Sequence, residues 1–244
     1  MSFEELQFGP DVHNDASCFV LSCRAKVSKR FVRGQGLEVG AGNRPFPLPD
    51  CAVCYYGDVR DPAAIRSYFQ DASASASFDG RLDAQTFAGV ASDSQDFVIS
   101  AHVIEHLENP IGGIEQALRI LKPGGRLVMA VPDRRHTFDQ GRPATSLIHL
   151  LQDAKDGGVT TRLLAHEEHA RFVHRTITGE VLSEDQILES AFRTMAAGMD
   201  VHFHCWSTDE FLELADYCCD RFGGHLLAVG REIINENIFV IEAI

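Results

Sequence analysis

The sequence predicts an α/β fold: a doubly wound, mostly parallel seven-stranded sheet with an antiparallel C-terminal hairpin strand and a largely helical insertion. Three observations predict it. Short apolar runs alternate with amphipathic stretches between residues 17 and 132, the pattern of repeated β–α–β units. Residues 133–203 then carry helical periodicity and no clear strand. Two final β-rich runs, 226–231 and 237–243, are too close together to hold a crossover helix, so they must pair antiparallel.

The elements follow in order. Residues 1–16 read as a polar lead-in. Residues 17–33 predict a helix, because Phe19, Val20, Cys23, Val27 and Phe31 recur at helical intervals. Residues 36–40 form a strand that runs into glycines, and 52–57 a second strand ending in Asp58. Asp61-Pro62 opens a helix, with proline suited to the first turn. Residues 71–77 are a small Ala/Ser-rich loop, and 80–84 a short third strand. The apolar run 96–100 predicts a buried strand, and 111–121 an amphipathic helix. Lys122-Pro123-Gly124-Gly125 ends that helix, since proline cannot extend the hydrogen-bond ladder and glycine accepts positive φ. Residues 126–131 are the next strand. Helices are expected at 145–153, 184–195 and 207–219, the last with Ser207 and Glu210 as a capping box.

Composition bounds the function. A chain of 244 residues suits a single domain, 1–244, with 133–203 as an insertion or lid. No stretch approaches the ~20 apolar residues of a membrane span. The start of the chain lacks a signal peptide's basic and apolar regions, so a cytoplasmic protein without membrane partners is expected. A net charge of −13 opposes phosphate backbones, which disfavours nucleic acid. The basic residues from Arg24 to Arg33 read as a solvated helix face. Seven cysteines, an odd number, predict free thiols. Cys51 and Cys54 read as buried thiols on a strand rather than a metal or redox pair.

The stretch Glu38-Val39-Gly40-Ala41-Gly42 lies where open α/β sheets bind ligands, beyond the carboxyl end of the first strand of the alternating pattern. Glycine there allows a tight turn and close ligand approach. Alone, the pattern fits nicotinamide cofactors, flavins and S-adenosylmethionine alike. Prolines 45, 47 and 49 favour an extended chain where a dinucleotide site needs a helix N-terminus for its pyrophosphate. Acidic residues also close the strands. Asp58 is placed to accept from ribose hydroxyls and Asp83 from an adenine amino group, while Glu38 lies beside the glycine loop. Carboxylates suit a cationic cofactor and repel a pyrophosphate.

The set Leu37 to Gly42, Asp83-Ala84-Gln85, Ser94 through Leu107 (with Ala101-His102-Val103-Ile104-Glu105-His106-Leu107) and Leu121 to Leu127 resembles the core of type 11 class I methyltransferases. The resemblance covers residues 36–132. It implies an S-adenosylmethionine pocket lined by Glu38, Gly40, Ala41, Gly42, Asp58, Asp83, Ala84, Ala101 and His102. The sequence departs from that pattern at Arg44, where a third small residue is usual, and in the proline-rich segment.

The implied function is S-adenosylmethionine-dependent methyl transfer to an oxygen or nitrogen of a small molecule. Such a transfer is an in-line displacement, and an alcohol, phenol or protonated amine must also lose a proton. Histidine titrates near neutrality, so His136, just past the strand end, is the first candidate base, followed by His166, His169 and His204. His166 and His169 share a helix face, and His202 and His204 would share one side of a strand. These histidines read first as a solvated or hydrogen-bonded set on the lid, with a metal site as a lesser alternative; their spacing matches no metal signature, and no metal ligand is assigned. The alternative is a methyltransferase-fold protein that binds the cofactor in a regulatory role. Oxidoreductase and RNA methyltransferase readings are weaker, on the pyrophosphate and charge arguments above.

Overall fold

The computed structural model describes residues 2–9, 15–71 and 77–244. Most of the predicted 71–77 loop and part of the lead-in lie outside the described residues. Eight strands form one sheet: β1 (Glu4–Glu5), β2 (Gly34–Val39), β3 (Ala52–Asp58), β4 (Gly80–Arg81), β5 (Gln95–Ala101), β6 (Leu121–Pro132), β7 (Gly224–Ile233) and β8 (Glu236–Ala243). Their order is β1-β7-β8-β6-β5-β2-β3-β4. β8 pairs antiparallel with β6 and β7, and the remaining pairs are parallel.

The predicted seven strands become eight because Glu4–Glu5 pairs with Ala228 and Val229 at the sheet edge. Two exposed glutamates carry no apolar alternation, so nothing local marks them as a strand. The β7–β8 hairpin runs antiparallel as expected.

The helices are α1 (Ala16–Phe31), α2 (Pro62–Phe69), α3 (Pro110–Ile120), α4 (Leu147–Asp156), α5 (Arg162–Glu168), α6 (His174–Thr178), α7 (Glu184–Ala196) and α8 (Thr208–Phe222). A 3-10 turn spans Ile104–His106, and a π-helical turn joins α5 to α6 over His169–Val173. Helix starts follow the expected chemistry. Asp61 accepts from the amides of Ala63 and Ala64 with Pro62 behind it, and the Ser207 amide donates to Glu210 at 2.7 Å.

Two cores flank the sheet. Phe211, Leu214 and Cys218 of α8 pack with Ile114 and Leu118 of α3 on one face, together with Trp206. Cys23 and Val27 of α1 pack with Phe46 on the other. Trp206 is thus a core residue, 1% exposed. The proline-rich segment runs without a helix between β2 and β3, and its buried Phe46 fills part of the core over which a crossover helix would otherwise lie.

Two expectations are corrected. Arg24 is not on a solvated face: it is buried, and its Nη2 lies 2.6 Å from Glu236. Arg30 stays exposed and pairs with Glu4, and Lys26 donates to the Phe8 carbonyl. Cys51 is exposed and Cys54 only half-buried, because they sit at the start of a strand near the open sheet edge; none of the seven cysteines forms a disulfide. No helix among the described residues is long and apolar enough to cross a membrane.

Candidate functional site

The parallel strands end on one edge, and β2 sits at the switch point between crossovers that run in opposite directions. A cleft of about 1120 Å³ opens there. It is lined by the loop after β2, by Asp58 and Asp83, by the turn after β5 and by residues 200–203.

The glycine loop keeps left-handed backbone at Gly40 (φ 70°) and Gly42 (φ 56°). A Cβ on Gly40 would fall 2.5 Å from Val103 Cγ2, and one on Gly42 would fall 2.4 Å from the Phe69 ring. Both positions therefore need glycine on conformational and steric grounds. Gly40 and Ala41 line the cleft, whereas Gly42 turns behind it.

Asp58 is 5% exposed and lines the cleft. Its Oδ1 accepts from the Arg60 amide at 2.8 Å, and among the described residues no hydrogen bond reaches Oδ2. Asp83, Ala84, Ala101 and His102 also line it. The Asp83 carboxylate braces its own turn, accepting from the Gln85 amide at 2.8 Å and the Thr86 hydroxyl at 3.3 Å.

Glu38 departs from its expected place. It is fully buried and outside the cleft lining, and both its oxygens accept from the Phe46 amide at 3.0 Å. It anchors the proline-rich segment instead of facing a ligand. Burial pushes its pKa up to about 7, against the Phe46 bond and the Arg24 charge.

Of the four nominated histidines only His169 reaches the cleft. Burial and then the nearby Arg142 charge bring its pKa down to about 4, so it is neutral at pH 7. His136 is exposed on the turn after β6, its amide bonded to the Asp133 carbonyl, and it is not among the cleft-lining residues although Thr137 beside it is. His166 is buried, its Nδ1 3.0 Å from the Thr194 hydroxyl. His204 is buried against Trp206, and burial pulls its pKa down to about 3. Residues 201–205 are not a strand, so His202 and His204 diverge: His202 lines the cleft, and His204 joins His149 and Asp153 in a cluster off it.

A different constellation faces the cleft. Glu105, 1% exposed, has both carboxylate oxygens buried without a hydrogen-bond partner. Its Oε1 lies 3.9 Å from His102 Nδ1, from His106 Nε2 and from His202 Nε2. The far nitrogen of each ring meets another carboxylate: Glu236 at 2.8 Å, Asp200 at 2.8 Å and Asp139 at 2.6 Å respectively. Each of those acids has its own arginine: Arg24, Arg60 and Arg142. His102 holds left-handed backbone (φ 54°), a strain of the kind found at functional sites. The sequence did mark His102, Glu105 and His106 as neighbours on one turn. It carried no signal linking them to His202, Asp139 or Asp200.

The family described as a methyltransferase domain matches residues 14–184. No curated protein matches the sequence. Among solved structures, a SAM-dependent methyltransferase from Aquifex aeolicus is 14% identical with a TM-score of 0.50, covering 95% of each chain. The PH0226 protein from Pyrococcus horikoshii OT3 is 14% identical (TM-score 0.52), with 98% of this chain and 94% of that one covered. A Rhodobacter sphaeroides chain assigned provisionally to the Zn-dependent alcohol dehydrogenases is 13% identical (TM-score 0.55), covering 91% of this chain and 89% of that one. At such identities these likenesses speak to the fold alone.

Proposed function

This chain belongs to the methyltransferase-domain family as a class I S-adenosylmethionine-dependent enzyme, and we propose that its acceptor is an oxygen or nitrogen of a small molecule. The observation that carries the reading is the size of the cleft. Pockets for small ligands typically span about 300–1,000 Å³. At about 1120 Å³ this cleft lies at the top of that range, which supports room for the cofactor together with a small acceptor.

The residues present fit the cofactor. The glycine cradle leaves backbone exposed where a Cβ would intrude, and Asp58 offers Oδ2 to a diol. No helix N-terminus follows the glycine loop to favour a pyrophosphate. Bound there, S-adenosylmethionine supplies a methyl group already activated on a positively charged sulfur. Gly40, Ala41, Asp58, Asp83, Ala84, Ala101 and His102 would hold it.

The chain's own task is then to orient the acceptor, exclude water and receive its proton. The 133–203 segment acts as the lid, contributing Phe138, His169 and His202 to the cleft, with Phe203 next in the chain. Neutral His169 can accept a hydrogen bond from the acceptor. His136, His166 and His204 have no part in this reading, because none reaches the cleft. The net charge of −13 supports a small molecule over a nucleic acid.

Calorimetry with S-adenosylmethionine, followed by incubation with small-molecule pools and mass detection of methylated products, tests this. Cofactor binding with methylation of a small alcohol, phenol or amine is expected. Failure to bind S-adenosylmethionine overturns the reading.

A further inference from the structure

We propose that Glu105, His106 and His202 bind a first-row divalent transition metal, of the zinc class, in the wall of the cleft. Their ligand atoms lie within 4.8 Å of one another. The argument begins with hydrogen-bond polarity. Asp200 and Asp139 are acceptors, so the nearby Nδ1 atoms of His106 and His202 must donate to them. In a neutral ring this leaves each Nε2 with a lone pair, and both lone pairs sit 3.9 Å from Glu105 Oε1. Acceptor faces acceptor on both sides.

A proton on either Nε2 would put positive charge beside Glu105 but could not make a hydrogen bond across 3.9 Å. A cation fits better. Ligand atoms about 2.1 Å from a metal stand about 3.4 Å apart in a tetrahedron and about 4.2 Å apart when opposite each other. The observed 3.9 Å lies between these spans.

Charge points the same way. Arg24, Arg60 and Arg142 compensate Glu236, Asp200 and Asp139. Among the described residues no arginine or lysine pairs with Glu105, although both its oxygens are buried and unpartnered. A buried carboxylate left so is costly unless something cationic meets it.

The surroundings are those of a built metal site. Metal-ligating histidines are typically oriented by a carboxylate on the other ring nitrogen, and both rings here have one. Imidazole ligands favour zinc and its first-row neighbours over magnesium or calcium. Three protein ligands leave an open position toward the cleft, where His102 stands 3.9 Å from the same Glu105 oxygen. A cation there would bind an acceptor hydroxyl and lower its pKa, so that its proton could pass to solvent water before methyl transfer. That role rests on the methyl-transfer reading; metal binding itself does not.

The test uses the full chain with any affinity tag removed. Metal content is measured after purification without chelator, and cobalt(II) is then titrated into the stripped protein while its visible absorption is followed. One equivalent is expected, with bands of a four- or five-coordinate nitrogen/oxygen site. Glu105→Gln and His202→Phe should each weaken cobalt binding roughly 100-fold or more, and Asp139→Asn roughly 10-fold through lost orientation. Circular dichroism checks that each variant folds; the three changes lie on different segments, so one unfolded variant leaves two to decide. No stoichiometric uptake by the wild type overturns the site, as does uptake by Glu105→Gln and His202→Phe at wild-type affinity. Calorimetry with S-adenosylmethionine on the same samples separates the two conclusions. Metal uptake without cofactor binding upholds the site and sinks the methyl-transfer reading; cofactor binding without metal uptake does the reverse.

Discussion

Nδ1 of His106 lies 2.8 Å from Oδ1 of Asp200, a residue 94 positions further along the chain. Asp200 is in turn bonded by Arg60, whose other guanidinium nitrogen lies 3.7 Å from Asp58. The acid that ends β3 and the imidazole beside Glu105 are therefore linked through one arginine. Burial lowers the His106 pKa, but the Asp200 bond and the Glu105 charge together raise it above the ordinary histidine value.

Asp58→Ala should weaken S-adenosylmethionine binding by roughly 10- to 100-fold, the worth of one or two charge-assisted hydrogen bonds. Calorimetry reads this directly. The fold should survive, since Arg60 keeps Asp200 as a partner. Unchanged affinity would refute a ribose contact at this position.

Gly40→Ala should destabilise the protein by about 1–3 kcal/mol and also weaken cofactor binding. It forces a left-handed residue to carry a Cβ 2.5 Å from Val103. Gly124→Ala is the comparison: its φ of 80° is equally left-handed, but nothing lies within 4 Å of the added Cβ. In urea titrations Gly40→Ala should therefore cost more than Gly124→Ala. Equal losses would show that Val103 yields freely.

Glu38 predicts a pH dependence. Its folded-state pKa is about 7 against an ordinary 4.5, so between these values the folded chain holds a proton that the unfolded chain has released. Stability from this group is full below about pH 4.5 and is lost as pH rises through about 7, by up to about 3 kcal/mol. Glu38→Gln keeps an acceptor for the Phe46 amide and cannot ionise. It should flatten this part of the stability profile and gain most over the wild type near pH 8. Parallel profiles for the two proteins would mean that Glu38 titrates normally.

Arg142→Met should destabilise the fold by about 3–5 kcal/mol. The guanidinium is 1% exposed and donates to Asp139 at 2.7 Å, to Glu168 at 2.9 Å and to the His202 carbonyl at 3.0 Å. Its removal leaves Asp139 buried with only His202 as a strong partner. Hydrogen exchange should show the loss concentrated around residues 139–142 and 200–203; a uniform change across the sheet would argue against a local role.

The sheet was legible because its signals are local. Alternating apolar runs, the proline at Pro62, the Ser207/Glu210 cap and the stop at Pro123 each act within a few residues. The glycine loop was legible for the same reason, since Gly40 and Gly42 need only their own backbone angles. The prolines at 45, 47 and 49 likewise announced the absent helix. Glu4–Glu5 was missed because an edge pair of two charged residues has no pattern of its own.

The histidine-rich wall of the cleft was decided elsewhere. Periodicity places His136 beside a strand end and His204 two residues from His202, but it does not say which way each ring turns. That depends on partners far along the chain: Asp139 for His202, Trp206 and Asp153 around His204, and Phe46 for Glu38. By itself the sequence determined the doubly wound sheet and the tight glycine loop at the cleft, because hydrophobic period and glycine conformation are properties of neighbouring residues. Only the tertiary structure decided that Glu105 stands buried among three imidazoles while Glu38 turns away. Burial and charge compensation are set by whatever the whole chain packs around a group.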